Sequence, residues 1–226
     1  VIDFKSHNLH IVGYSEPVDI QVSYEKLIKH LFYVKDKPEA IPYITSYYSK
    51  NWGFCLSFND FKNLDKDSNY KVVIDSSYNL EGHLTYGELL IKGESKKEIL
   101  FSSYICHPQM VNNELSGPAV LSGIANQLIY KKNYYSYRFV LVPETIGSIA
   151  FLSHNLEHLK KNVVGGYNIT CVGDERAWGL MPSKYGNNIS DDIARFVLND
   201  NSIEYQEHSW LDRGSDERQY CAPGID

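Results

Sequence analysis

The second half of the chain alternates apolar strands with helices, and this pattern constrains the fold more than any other feature of the 226 residues. Three nearly continuous apolar runs predict strands at 98–105, 137–142 and 166–172. Helical patterns follow them at 118–130, 149–159 and 189–198. Strands buried on both faces have such runs, and β–α alternation builds a largely parallel sheet. The sequence therefore predicts an α/β domain in this half.

The segment from about residue 15 to residue 95 has a different character. Two alternating runs, 70–76 and 83–91, flank a turn and predict a β-hairpin or meander. Apolar residues at helical spacing predict a helix over 23–34, and loose alternation predicts a strand over 1–14. We therefore expect a small β-rich unit with one helix ahead of the α/β domain.

Composition excludes some classes of function. The net charge is −6 and the 22 Lys and Arg residues are dispersed, so no nucleic-acid partner is expected from this chain. No run approaches the roughly 20 apolar residues of a membrane span, so no membrane association is expected. The four cysteines are far apart, which favours free thiols and a cytoplasmic protein. The chain opens on Val1 and stops at Asp226 without a natural finish, so we expect a piece of a longer protein.

Residues capable of binding metal or moving protons follow each predicted strand of the α/β domain. They are His107, Glu144 and Asp174. Ligands bind at the carboxyl ends of strands in open α/β sheets. Imidazole and carboxylate groups bind Zn²⁺ while an open position holds water, and a further carboxylate accepts the proton of that water. Each residue also has an ordinary explanation as a hydrogen-bonded loop residue or a turn former.

Two neighbouring patterns are better explained by structure than by chemistry. His154 and His158 lie four apart on a predicted helix and are expected on its solvent face. Cys106 precedes His107, and adjacent strand residues point to opposite faces. Cys106 is therefore expected in the core and not as a nucleophile.

Four segments of the sequence resemble those of a known bacterial family: ICHPQMVNNELSGPAVL, PETIGSIAFL, CVGD and GSDERQYCAPGID. The family comprises uncharacterised bacterial proteins with an aminopeptidase-like domain, which are distant relatives of the co-catalytic zinc aminopeptidases. The resemblance implies a three-layer αβα sandwich with a mixed, mostly parallel sheet. It also implies a small inserted β-rich domain at 15–95 between the two parts of the main domain, 1–14 and 96–226. In the family a winged-helix domain follows.

The same resemblance assigns metal-binding roles to particular residues. It places the first metal ligand at His107. The aspartate that bridges two metal ions in the family corresponds to Asn113, a neutral amide, and Glu114 could take its place only by a local shift of the backbone. Asp174 corresponds to a carboxylate ligand, and a last histidine ligand would lie beyond Asp226.

The catalytic role falls on Glu144. The zinc aminopeptidases have two consecutive glutamates there, the first a general base and the second a ligand, whereas this chain has Glu144 and Thr145. General base is the favoured role of Glu144 and metal ligand is the alternative. Ser215 and Asp216 match a Ser-Asp-His segment of the family, in which Glu217 replaces the histidine.

These features favour an enzyme, a zinc-dependent aminopeptidase or related metallohydrolase. We expect it to cleave a peptide or an amide-containing small molecule with one or two zinc ions. Asn113 and Thr145 support an alternative, a non-catalytic or single-metal binding protein with the same fold. Neither the substrate nor the oligomeric state is indicated by the sequence.

Overall fold

The structure, a computed structural model, describes residues 1–46, 49–106, 110–212 and 214–222. It divides the chain into two compact units, Val1–Gly82 and His83–Asp226. The predicted insertion of 15–95 between 1–14 and 96–226 stays a prediction. Across the described ranges, no helix has both the length and the apolar character needed to cross a bilayer.

The first unit contains two small sheets and two short helices. Its elements are β1 (Val18–Ser23), α1 (Tyr24–Leu27), β2 (Leu31–Phe32), β3 (Phe54–Cys55), α2 (Phe58–Lys62) and β4 (Asn69–Ile74). β1 pairs with β4 in antiparallel fashion, and β2 pairs with β3 in parallel. Val22, Leu27 and Val72 form a buried cluster between them.

Three sequence predictions fail in this region. The helix predicted over 23–34 ends at Leu27, because a 3-10 turn and then β2 follow it. The strand predicted over 1–14 is a 3-10 turn at Asn8–His10 with isolated bridges, and the buried His10 ring contacts the carbonyl oxygen of Cys55 at 2.8 Å. The predicted hairpin is wrong because β4 pairs with β1, which leaves the next strand to join another sheet.

The second unit is an α/β domain. Its strands are β5 (Gly87–Ile91), β6 (Glu98–Tyr104), β7 (Ser136–Val142), β8 (Val163–Asn168), β9 (Trp178–Leu180) and β10 (Tyr205–Glu207). Its helices are α3 (Ser116–Ile129), α4 (Ile146–Asn162), α5 (Ile189–Asp200) and α6 (Glu217–Tyr220). A π-helical turn at Val111–Leu115 leads into α3.

A four-stranded sheet in the order β5-β7-β6-β8 forms the centre of this unit. β6 is parallel to both of its neighbours, and β5 is antiparallel to β7. Phe139 packs with Leu121 of α3 on one face of the sheet. Val140, the next residue, packs with Phe151 of α4 on the other face. The predicted three-layer αβα architecture with a mixed, mostly parallel sheet is confirmed.

The third predicted strand is displaced along the sequence. It covers Val163–Asn168 and begins directly after α4, whereas the pattern predicted 166–172. Gly166 lies so close to β6 that a Cβ there would be 2.8 Å from the carbonyl oxygen of Leu100. A glycine in a strand often marks such a close approach, which a search for apolar runs does not detect.

The strand order reverses direction within the sheet. The chain passes from β6 to its neighbour β7 through α3, and then returns past β6 to β8 through α4. Because crossovers between parallel strands are right-handed, two crossovers in opposite directions place their helices on opposite faces. The connections after β6 and β7 therefore diverge, and the crevice between them is where open α/β sheets bind ligands.

A buried ion network crosses the opposite end of the sheet. Arg138 on β7 donates from Nε to Glu98 on β6 at 2.6 Å and also pairs with Glu88 on β5. Nε2 of His158 on α4 lies 2.8 Å from the same Glu98 carboxylate. His154 and His158 are exposed on the helix, as expected, and the ring of His158 also contacts this network.

Truncating Phe151 to alanine should destabilise the protein strongly. The side chain is fully buried in a cluster with Val140 and Val142 of the sheet, so its loss leaves a cavity. Buried Phe→Ala changes cost about 3–5 kcal/mol of unfolding free energy. Urea unfolding measures the change. Ile149→Ala on the exposed side of the same helix is the control and should cost far less. Equal losses in the two variants would contradict the packing described.

Candidate functional site

Two residues define the crevice after β6 and β7. Cys106 follows β6 by two residues, and Glu144 follows β7 by two residues. The backbone N–H of Glu144 donates to Sγ of Cys106 at 3.3 Å, which joins the two connections. His107, the predicted first metal ligand, lies outside the described residues. Glu144, the predicted base, is thus at the edge of the sheet that the sequence indicated.

The carboxylate of Glu144 is oriented by a serine from the C-terminal part of the chain. Oγ of Ser215 donates to Oε1 of Glu144 at 2.7 Å. This contact joins residues 71 positions apart, so it depends on the tertiary fold. Glu144 is half-buried, which leaves part of the side chain accessible to solvent.

The backbone immediately after Glu144 is strained. Thr145 has φ 62° and ψ −67°, and the N–H of Ile146 donates to the carbonyl oxygen of Glu144 at 2.7 Å. These values describe a γ-turn with positive φ, a rare and strained conformation. A β-branched residue there is a genuine outlier. Such strain costs on the order of 1–3 kcal/mol and persists only where the surroundings enforce it.

Asp216 provides that enforcement. Its side chain is fully buried, and Oδ1 accepts hydrogen bonds from the N–H of Thr145 at 2.7 Å and from Oγ of Ser148 at 2.8 Å. Oδ2 is buried and finds no hydrogen-bond partner among the described residues. Burial, supported by the nearby charges of Glu144 and Glu217, raises the pKa of Asp216 to about 6 although two hydrogen bonds oppose the shift.

A second buried carboxylate approaches the end of β6. Glu114 is buried within the π-helical turn, and its Oε2 accepts the N–H of Cys106 at 2.7 Å. The thiol of Cys106 lies 3.8 Å from Oε1 of the same carboxylate. Partial burial, with the negative charges of Glu114, Glu144 and Asp216, raises the pKa of the thiol to about 11. The thiol is therefore protonated at neutral pH, which does not suit a nucleophile.

The expected core position of Cys106 is wrong. β6 ends at Tyr104, so the strand alternation used to place Cys106 in the core does not extend to it. The residue is exposed as a whole. Its thiol nevertheless lies near the carboxylate of Glu114 and accepts the backbone N–H of Glu144.

Asn113, at the position of the family's bridging aspartate, also lies in the π-helical turn. Its side-chain nitrogen lies 3.6 Å from Sγ of Cys171 in the loop after β8. The neighbouring Asn112 accepts the N–H of Gly173 at 2.7 Å, which fixes that loop against the turn. Within the π-helical turn, Asn113 therefore contacts the loop after β8, whereas Glu114 contacts Cys106.

Asp174, the third strand-end residue, lies in the loop after β8 and pairs with Arg176. Nε of Arg176 lies 2.9 Å from Oδ1 of Asp174. The hydrogen bonds from Arg176 hold the pKa of Asp174 well below its usual value. Asp174 lies six residues past the end of β8, because this strand ends earlier than the sequence pattern predicted.

The predicted metal ligands do not form an assembled site in the described part of the chain. Asn113, Glu144 and Asp174 have different partners, and no three His, Cys, Asp or Glu side chains lie close enough together to hold a metal ion within the described ranges. An amide and an ion-paired carboxylate are also poor substitutes for free anionic ligands. The described residues alone therefore do not fit a zinc ion, and the assignment of ligands stays a prediction.

The sequence did not reveal the residues that surround Glu144. Ser215 and Asp216 were recognised only as the counterpart of a family segment, and Glu114 only as a replacement for Asn113. The one available signal was the Ser-Asp pair itself. The contacts of this pair with Glu144, Thr145 and Ser148 join distant parts of the chain.

The fold is that of an aminopeptidase-like α/β domain. The chain belongs to the family described as a domain of unknown function, DUF4910, whose model matches residues 19–226. A protein of Clostridium acetobutylicum named "Putative polysaccharide biosynthesis protein with aminopeptidase-like domain" is 46% identical over 225 residues, which cover 100% of this chain and 51% of that protein.

Solved structures support the same fold. The crystal structure of a "putative peptidase" from Clostridium acetobutylicum matches with a TM-score of 0.91 and 46% identity, over 99% of this chain and 52% of that one. The zinc aminopeptidase BSAP from Bacillus subtilis matches with a TM-score of 0.60 and 16% identity, over 78% of this chain and 47% of that one. The second likeness concerns the fold alone. The chain spans about half the length of these relatives.

Protein stability should decrease as Asp216 ionises. Its folded-state pKa of about 6 lies above the usual 3.8, so the folded state binds the proton more tightly than the unfolded state does. The stabilisation is present below pH ~4 and is lost as the pH rises to ~6, by about 3 kcal/mol from this group. Urea unfolding between pH 4 and pH 7 measures it.

Asp216→Asn should remove this part of the pH dependence, since the amide keeps an acceptor oxygen and carries no charge. Asp200→Asn, at an exposed position, should leave the pH dependence as in the wild type. Parallel pH profiles for the wild type and Asp216→Asn would contradict the burial of an ionisable carboxyl at this position.

Proposed function

We propose that this chain is the aminopeptidase-like part of a hydrolase that cleaves a peptide bond or a related amide bond. Glu144 is the general base in this proposal. It accepts a proton from the attacking water as the oxygen–carbon bond forms. It then delivers the proton to the leaving amine nitrogen as the carbon–nitrogen bond breaks, so atoms and charges balance.

The observation that carries the proposal is the position of Glu144. It lies where the connections after β6 and β7 diverge, its carboxylate is held by Ser215, and its accessibility is intermediate. A general base needs an oriented carboxylate that a substrate can reach. The shared fold with BSAP, a zinc aminopeptidase, is consistent with amide hydrolysis at this edge.

Zinc dependence belongs to the proposal as a separate hypothesis. Zinc, when bound, polarises a carbonyl and lowers the pKa of water. The resemblance to the co-catalytic zinc aminopeptidases supplies His107 and Asp174 as ligands, with Glu144 and Asn113 as further candidates. Because the described residues do not assemble a metal site, we assign no step of the reaction to the ion.

The substrate class in the proposal is an amide of a peptide or of a small molecule. The name of the 46% identical relative refers to polysaccharide biosynthesis. Sugars in such pathways can carry N-acyl groups, whose amide bonds need the same chemistry as a peptide bond. N-acylated amino sugars are therefore tested beside aminoacyl substrates.

Replacing Glu144 by glutamine should abolish most of the turnover. The purified full-length protein is supplied with zinc and assayed for amine release from aminoacyl anilides, dipeptides and N-acyl amino sugars. Loss of a general base lowers kcat about 10²–10⁴-fold, so Glu144→Gln should fall in this range with KM little changed. Elemental analysis of the same samples gives the zinc content per chain.

Glu157→Gln, an exposed change on α4, is the matched control and should retain full kcat. An active wild type with equally active Glu144→Gln would refute the role of Glu144. An active protein that binds no zinc would remove the metal hypothesis while leaving the hydrolase proposal in place.

A binding function is the second candidate, and specific observations favour it. Asn113 is a neutral amide with its side-chain nitrogen near Cys171, Thr145 stands at the second glutamate position, and Asp174 is ion-paired. In this case the crevice would bind the same amides without cleaving them. Isothermal titration that shows saturable binding of an amide without any product release would support this candidate over the hydrolase.

A further inference from the structure

We infer that Asp216 and Ser215 together form a clamp that positions Glu144 for reaction. This inference rests on the proposed function, because it assigns to the clamp the geometry of the proposed base. Asp216 and Ser215 do not act on the substrate themselves. They act on Glu144 from two sides, through its carboxylate and through the peptide group that follows it.

Ser215 and Asp216 are consecutive in the chain, and so are the two residues that they contact, Glu144 and Thr145. Oγ of Ser215 donates to Oε1 of Glu144 at 2.7 Å, and Oδ1 of Asp216 accepts the N–H of Thr145 at 2.7 Å. A side chain held only at its carboxylate could still rotate with its backbone. Fixing both the carboxylate and the next peptide group removes that freedom.

The backbone of Thr145 explains why a clamp is needed. Its φ of 62° is unfavourable for a β-branched residue, so the turn would relax to another conformation unless its N–H had a fixed acceptor. Asp216 is the acceptor, and its side chain is fully buried and also held by Ser148. The strained turn sets the direction in which Glu144 leaves the end of β7.

The clamp is itself anchored to the sheet and to α4. The N–H of Ser215 donates to Oε1 of Glu217 at 2.9 Å, and Oε2 of Glu217 accepts from the side chain of Asn168 on β8 at 3.3 Å. Oγ of Ser148 on α4 donates to Asp216 at 2.8 Å. The clamp therefore connects Glu144 to the central sheet through β8 and to the helical layer through α4.

One oxygen of the Asp216 carboxylate is buried without a partner in the part of the chain that the structure describes, which fits a residue that positions Thr145 better than one that stabilises the fold. Oδ2 is buried without a partner among the described residues, and an unpaired buried polar atom costs folding free energy. A residue retained only for packing would be better replaced by an apolar one. The hydrogen bond to Thr145 is the feature that an apolar replacement could not provide.

The kinetic test compares three variants of the full-length protein with the substrate identified for the wild type. Asp216→Ala removes the acceptor and should lower kcat about 100-fold, since misplacing a catalytic group by an ångström has an effect of that size. Asp216→Asn keeps the acceptor oxygen and should recover kcat to within about 3-fold of the wild type. Ser215→Ala should lower kcat roughly 10-fold through the lost orienting contact. KM should change little in all three.

Two controls separate positioning from damage to the fold. Leu159→Ala, buried at the far end of α4, destabilises the domain without touching the clamp and should keep its kcat at a temperature where it remains folded. Ser153→Ala, at an exposed position of the same helix, should behave as the wild type. A kcat for folded Asp216→Ala or for Ser215→Ala within 2-fold of the wild type would overturn the inference. If Asp216→Ala does not fold, Ser215→Ala decides.

A structural measurement keeps the inference testable if the protein hydrolyses nothing. The amide of Thr145 should exchange with solvent at least about 10-fold faster in Asp216→Ala than in Asp216→Asn or the wild type, because its acceptor is lost. A crystal structure of Ser215→Ala should find the Glu144 carboxylate displaced. An inactive wild type with these changes would refute the proposed function alone. Unchanged exchange and an unmoved Glu144 would refute the clamp.

Discussion

The reversal of strand order around β6 is the constraint on which the rest of the α/β unit depends. The chain leaves β6 toward β7 on one face and leaves β7 toward β8 on the other. Right-handed crossovers then require α3 and α4 to cover opposite faces. The apolar residues of β7 follow this requirement, since Phe139 packs toward α3 and Val140 toward α4. The same reversal separates the two connections and opens the crevice at which Glu144 lies.

Polar contacts concentrate where that crevice meets α4 and the C-terminal segment. Asp216 and Glu114 are both buried carboxylates, and each accepts a backbone N–H from one of the connections that flank the crevice. Buried carboxylates are costly unless they are hydrogen-bonded. Here they satisfy backbone groups that the strained turn at Thr145 and the end of β6 would otherwise leave unpaired. The hydrogen bonds that they accept thus offset part of the cost of burying them.

Much of this architecture follows from the sequence, and the failures have physical causes. The long apolar strands and helices were predictable because their periodicity is local. One of them is α3, whose first turn contains Pro118. β8 was displaced because Gly165 and Gly166 interrupt the run that begins at Val163, so a search for apolar runs begins the strand too late. The predicted pairing of β4 with β5 was wrong because strand pairing is decided by distant partners.

At the site, the position of Glu144 after β7 was predictable, whereas its contact with Ser215 joins residues 71 positions apart. The metal-ligand assignment of Asp174 comes from the family resemblance and stays a prediction.

The most direct test of this account is a crystal structure of the full-length protein with a slowly cleaved peptide-like amide bound. The account predicts that the amide lies in the crevice between the connections after β6 and β7. A carboxylate oxygen of Glu144 should then be within hydrogen-bond reach of the amide, directly or through one water. An amide bound in another part of the domain, or bound in the crevice with Glu144 directed away from it, would contradict the account.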